Sequence, residues 1–215
     1  KRMTARLTFD VAHMLAGSLV LVSFLLLYQD RMFSLINVFA LHALVLAAAV
    51  AWQAFVQGAP HLYITAAIAL GFKAIVIPVA LRRIIVRLDL HRELEIVAGI
   101  GLTMLAGLGL VALAIVVMLP ITVAAGAIAR EDLAFALSVV LLGLLMMVTR
   151  RNAVSLVVGF MTLENGLVLA ATGILYFALV ASLRRGDREE LREEIQVLRA
   201  LLRETPDDFG RLQWE

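Results

Sequence analysis

Apolar residues in this chain come in long unbroken runs, separated by short polar turns. The first run, from about Val11 to Tyr28, ends at Gln29-Asp30-Arg31. A second, about Phe33 to Val56, carries Asn37, His42 and Gln53 and stops at Gln57-Gly58-Ala59-Pro60. The third, about Leu62 to Leu81, contains Lys73 and Pro78, and a polar connection from Arg82 to Glu95 follows it. A fourth runs from Ile96 to about Ala125, with Gly99, Gly101, Gly107 and Gly109 suited to close helix packing. After Arg130-Glu131-Asp132 the fifth covers about Leu133 to Val148 and ends at Thr149-Arg150-Arg151-Asn152. Each run approaches or exceeds the roughly 20 apolar residues needed to cross a hydrocarbon core of about 30 Å.

The last run, Ala153 to Leu183, is interrupted only by Glu164 and Asn165. At about 1.5 Å per residue it is too long for one perpendicular span and too short for two. Cut at Thr172-Gly173, it gives a full helix and a stub. Charge argues for a further crossing. Seven Arg residues (Arg31, Arg82, Arg83, Arg87, Arg92, Arg150, Arg151) fall on one side, against Lys1, Arg2, Arg6 and Arg130 on the other. The basic tail joins the larger group only if the chain crosses a seventh time. Beyond it, Asp187-x-x-Glu190 is a helix-start signature. Leu191, Ile195, Leu198 and Leu202 then recur on one face, up to a stop at Thr205-Pro206. That tail suits a helix lying on the membrane or a neighbour, or one that self-associates.

The pattern therefore predicts an all-α fold, a polytopic transmembrane bundle of six or seven helices with a short amphipathic C-terminal helix. Composition agrees. The chain is 62% hydrophobic and 17% charged, with a mean hydropathy of +0.96, against about half and a quarter for a soluble domain. The basic start, Lys1-Arg2-Met3, precedes a long run with no small-residue cleavage site, so it reads as a first membrane helix rather than a removed signal. There is no Cys, which excludes disulfides and thiolate-held clusters or haem in this chain. The four His lack metal-site spacing. No cofactor and no nucleic acid is expected.

In so apolar a bundle the informative residues are ionisable ones at mid-span, where a charge costs about 2.5–3.5 kcal/mol on insertion scales. Glu164 lies about 17 Å from the Ala153 end, too deep to reach the headgroups. Burial opposes its ionised form, so it can hold or release a proton as its surroundings change. Asn165 beside it can donate or accept a hydrogen bond. Lys73 is too far from Arg82 to snorkel out fully, and Pro78 frees a backbone carbonyl nearby. It reads as a proton-exchanging or counter-charge residue. Each has a plainer reading: a neutral Glu bonding a neighbour, a structural ion pair for Lys73, and a neutral His42 bonded between helices.

Leu44-Val45-Leu46-Ala47-Ala48 after His42 echoes Leu167-Val168-Leu169-Ala170-Ala171 after Asn165, hinting that helices one to three and four to six are related units. The chain divides on this reading into residues 1–95, 96–183 and a charged tail 184–215. The Arg150-Arg151-Asn152 turn, followed after an apolar stretch by Glu164-Asn165, resembles the small membrane subunit K of respiratory complex I and its relative in multisubunit cation/proton antiporters. Over roughly Met3 to Gly173 the chain is more similar to hydrogenase-4 component E, a longer formate hydrogenlyase-type membrane protein with a subunit-K-like C-terminal half. Gln57-Gly58-Ala59-Pro60-His61-Leu62-Tyr63 and Ala74 to Arg83 carry that likeness.

The resemblance implies a non-catalytic membrane subunit of an energy-converting hydrogenase or complex I-like oxidoreductase. Its setting would be the plasma (inner) membrane of a prokaryote. Its partners would be membrane lipid, large antiporter-like and complex I-like membrane subunits, and peripheral hydrogenase or redox subunits. Glu164 would be the intramembrane carboxylate of a proton (or sodium) path, with Asn165, Lys73 and His42 as further polar members. In subunit K the acid falls three positions earlier, where this chain has Met161, so the same helix face is kept about one turn away. The family continues beyond Gly173 into a further helix with a second acid, where this chain goes to Ile174-Leu175-Tyr176 and the charged tail. Either this member lost that crossing or a segment is absent from this sequence, and no residue is assigned to the second acid. A subunit of a cation/proton antiporter, a self-contained transporter and a structural adaptor are the alternatives.

Overall fold

In the computed structural model, residues 2–88, 99–121 and 127–204 are described, and they form helices with no strand among them. In chain order these are α1 (Arg2–Tyr28), α2 (Met32–Gln57), α3 (Pro60–Ile68), a π-helical segment (Ala69–Val76), α4 (Ile77–Arg87), α5 (Ile100–Ile121), α6 (Ala127–Thr149) and α7 (Ala153–Glu204). Five stretches are long and apolar enough to cross a membrane: Asp10–Tyr28, Met32–Gln57, Pro60–Arg87, Ile100–Met118 and Ala153–Leu175. Leu133–Thr149 is a shorter apolar helix. The chain is thus a helical integral membrane protein.

Two compact units make up the chain, Lys1–Tyr176 and Phe177–Glu215. The first has its core between α1, α2, α6 and the near part of α7, around Leu19, Leu26, Ile36, Phe39, Leu142 and Val158. Turn chemistry explains how the first helices are joined. Gly58 takes the left-handed conformation at φ 60° and its N–H bonds Ala54 O, closing α2. Pro60 then opens α3, where a missing N–H costs nothing.

Glycine sets the contact between α6 and α7. A Cβ on Gly143 would lie 2.6 Å from Leu163 N, and one on Gly166 would lie 2.8 Å from Val140 N. The two backbones touch, as small residues permit within a bilayer. Of the four glycines expected to pack in the fourth span, only at Gly107 would an added Cβ meet other side chains, Phe24 and Leu142 at 3.0 and 3.1 Å. A Cβ added at Gly99, Gly101 or Gly109 would meet nothing within 4 Å.

The structure departs from the expected spans in three further places. Arg130-Glu131-Asp132 is not a connection but lies within α6, which begins at Ala127. The cut considered at Thr172-Gly173 is absent: α7 runs unbroken through both residues, with Thr172 Oγ1 donating to Leu169 O at 2.9 Å. Helix also continues past Gly186, so the expected separate start at Asp187 is not used; α7 ends at Glu204. A helix already under way supplies carbonyls for those N–H groups, and the capping signature becomes redundant. Arg92 and Thr205-Pro206 lie outside the described residues.

Candidate functional site

The third span is where the backbone is unusual. Its buried positions are Leu62, Ala66, Ala69, Lys73, Pro78, Leu81 and Ile85. The spacing is three or four everywhere except from Lys73 to Pro78, which is five. That wide step is the π-helical segment Ala69–Val76, closed by Ile77 N–H to Phe72 O. Pro78 cannot donate to a carbonyl in the preceding turn, and its ring crowds that turn. One extra residue in the turn relieves this and holds Lys73 and Pro78 on the same face. Such wide turns recur at functional sites.

Lys73 therefore faces the bundle from halfway along Pro60–Arg87, and Glu164 and Asn165 stand halfway along Ala153–Leu175. Lys73 Nζ donates to Asn165 Oδ1 at 2.9 Å and pairs with Glu164 Oε1 at 3.0 Å. Asn165 Nδ2 lies 3.0 Å from His42 Nδ1, and His42 Nε2 lies 3.0 Å from Ser23 Oγ. Ser23 Oγ donates back to Leu19 O at 2.8 Å. A polar chain thus runs from Ser23 on α1 through His42 on α2 to Asn165, Lys73 and Glu164.

Burial changes along that chain. His42 and Asn165 are wholly buried and Ser23 nearly so. The Lys73 side chain is 11% exposed, whereas that of Glu164 is 41% exposed. Asn165 continues the buried stripe Val154, Val158 and Leu169. Glu164, one position away, is turned by about 100° and reaches the surface of the bundle. The close approach at Gly143 and Gly166 sets the depth at which both residues are presented.

All four residues singled out from the sequence, His42, Lys73, Glu164 and Asn165, are joined in this one network. Ser23 is an addition. It makes the same local bond to the carbonyl four residues back as Ser18 and Ser138 do, so nothing in the sequence distinguishes it.

The Arg150-Arg151-Asn152 turn has a structural role. Arg150 Nη2 donates to Leu27 O and Gln29 O, both at 2.7 Å, at the end of α1. A cation at the negative end of a helix, bonded to its leftover carbonyls, is favourable. Burial depresses the Arg150 guanidinium from its usual range, and the Asp30 charge works against that. Asn152 Oδ1 accepts from Val154 N–H at 2.8 Å, capping α7. Arg82 Nη2 donates to Asn37 Oδ1, within the first turns of α2. These contacts place the Arg31, Arg82 and Arg150 ends of their helices at the same end of the bundle.

Compared with known proteins, the chain matches no family model, and neither a curated protein nor a solved structure is significantly similar to it.

Proposed function

We propose that this chain is a non-catalytic membrane subunit that holds a proton-exchanging carboxylate for a larger complex. The observation that carries the reading is the Lys73–Glu164 pair, 3.0 Å apart at mid-span. Nζ and Oε1 lie within hydrogen-bond reach, so a proton can pass directly between the two groups. The exposure of Glu164 on the flank of the bundle adds a second support. A carboxylate facing hydrocarbon is costly, and a neighbouring polypeptide with polar groups removes that cost.

The particular complex is an energy-converting hydrogenase or complex I-like oxidoreductase in a prokaryotic plasma (inner) membrane. The Arg150-Arg151-Asn152 turn with Glu164-Asn165, which resembles subunit K of complex I, and the segments Gln57 to Tyr63 and Ala74 to Arg83, which are similar to hydrogenase-4 component E, support this choice. Large antiporter-like membrane subunits would cover Glu164, and peripheral redox subunits would supply the driving reaction. A subunit of a cation/proton antiporter would use the same pair without a redox partner. One observation favours a plain adaptor: Lys73 already has two partners within the chain, Glu164 and Asn165.

Proton uptake into vesicles holding the purified complex separates these readings. Glu164→Gln is expected to leave assembly and the partner's redox chemistry with artificial acceptors intact while coupled uptake falls, with Glu164→Asp keeping part of it. Uptake at the wild-type rate in Glu164→Gln makes the residue structural. Copurification with antiporter-like subunits but no redox subunit selects the antiporter.

A further inference from the structure

We infer that His42 is a fixed, neutral imidazole carrying its proton on Nε2, a positioning residue that aims the Asn165 amide at Lys73 rather than a carrier of protons. The directions of the hydrogen bonds decide this. Lys73 Nζ has N–H groups to give and contacts the oxygen end of the amide, Asn165 Oδ1, at 2.9 Å. An amide has one accepting and one donating end. With Oδ1 committed to Lys73, the Nδ2 end must face His42, and Nδ1 of His42 at 3.0 Å must accept. A nitrogen that accepts carries no proton, so the proton of the neutral ring sits on Nε2. That N–H finds its acceptor in Ser23 Oγ at 3.0 Å. Ser23 is free to accept because its own hydrogen goes to Leu19 O. Each contact along the string then joins a donor to an acceptor, and the opposite assignment leaves two N–H groups facing each other at Asn165.

The arrangement survives proton exchange at the neighbouring pair. If Lys73 passes a proton to Glu164, the neutral amine still has two N–H groups, one for Asn165 Oδ1, and its lone pair accepts from the new Glu164 hydroxyl. The amide keeps its orientation, and so does the ring. His42 therefore cannot take up a proton at Nδ1 in either state without turning the amide against Lys73. Buried polar strings of this kind are costly when one member is unpaired. Exchange is confined to Lys73 and Glu164, and Ser23, His42 and Asn165 hold the lysine still.

This inference deepens the proton-exchange reading and rests on it for its transport arm, though not for its spectroscopic one. The test uses the intact complex with 15N-labelled histidine, the His42 signals being assigned by their loss in His42→Asn. Wild type and Glu164→Gln are both expected to show an unprotonated Nδ1 and a protonated Nε2. An imidazolium, or a proton on Nδ1, overturns the proposal. In vesicles His42→Asn, whose amide oxygen replaces the Nδ1 acceptor but cannot carry a proton, is expected to stay near the wild-type rate. His42→Leu should fall on the order of a hundredfold, the scale set by misplacing a transfer partner. If His42→Asn falls to the level of His42→Leu, the imidazole is a carrier and the proposal is wrong. Wild-type uptake in Glu164→Gln removes the transport reading instead, and the nitrogen spectra still decide the tautomer.

Discussion

Lys73 meets Glu164 at 3.0 Å, from the helical span whose backbone widens into a π turn. The lysine side chain is almost enclosed and the carboxylate is partly open, so the two partners do not bear equally on stability. Removing Glu164 leaves an ammonium that still has Asn165 Oδ1. Removing Lys73 leaves a carboxylate and an amide oxygen with no donor. Lys73→Met is therefore expected to destabilise the protein more than Glu164→Gln. The double substitution should recover part of the loss, with a coupling of roughly 0.5–3 kcal/mol. Unfolding of the four variants in one detergent gives the cycle. Strict additivity would mean that the pair contributes nothing.

Gly143 and Gly166 let α6 and α7 touch, and neither has room for a methyl group. Gly143→Ala is expected to cost about 1–3 kcal/mol, the usual range for overpacking, and to weaken assembly. Gly109→Ala, where nothing lies within 4 Å, should leave the isolated chain as stable as wild type. Thermal unfolding of the two variants side by side checks the contrast, and equal losses would refute it.

Arg150 closes the carbonyl end of α1 with two bonds from one guanidinium nitrogen. Arg150→Ala should leave the buried Leu27 O without this donor, at about 1–3 kcal/mol, and the part-buried Gln29 O at a smaller cost. Arg150→Lys is expected to restore only part, since an ammonium lacks the planar fork. Arg151→Ala, at an exposed position, should change stability little. A comparison of melting temperatures would show it, and a loss at Arg151 equal to that at Arg150 would contradict the capping role.

The Arg31, Arg82 and Arg150 ends of the helices share one end of the bundle, and the positive-inside rule assigns that end to the cytoplasm. Arg87→Cys and Arg151→Cys, both at exposed positions in a chain without cysteine, should resist an impermeant thiol reagent added outside whole cells. They should react once the membrane is opened. Labelling of either in intact cells reverses the orientation.

The sequence by itself determined the class of this protein and the short set of residues worth watching. Runs of apolar residues long enough to cross a bilayer leave few folds open, because backbone polar groups must be satisfied inside each segment. Charges in mid-run stand out for the same energetic reason, which is why Lys73, His42, Glu164 and Asn165 could be chosen before their contacts were known. Tertiary structure decided everything about facing. A helix that is apolar all round gives no moment to distinguish core from lipid, so the packing glycines were sought at Gly99, Gly101, Gly107 and Gly109. Of these Gly107 packs, while the closest approaches are at Gly143, Gly159 and Gly166. A constant helical period would have turned Pro78 away from the face of Lys73; the π turn restores it, and that depends on how a proline is accommodated in three dimensions. The partnership of Ser23 with His42, and the outward turn of Glu164 beside an inward Asn165, arise from which helices meet. Hydrocarbon solvates the outside of such a bundle about as well as its own core does, so hydropathy alone cannot carry that information.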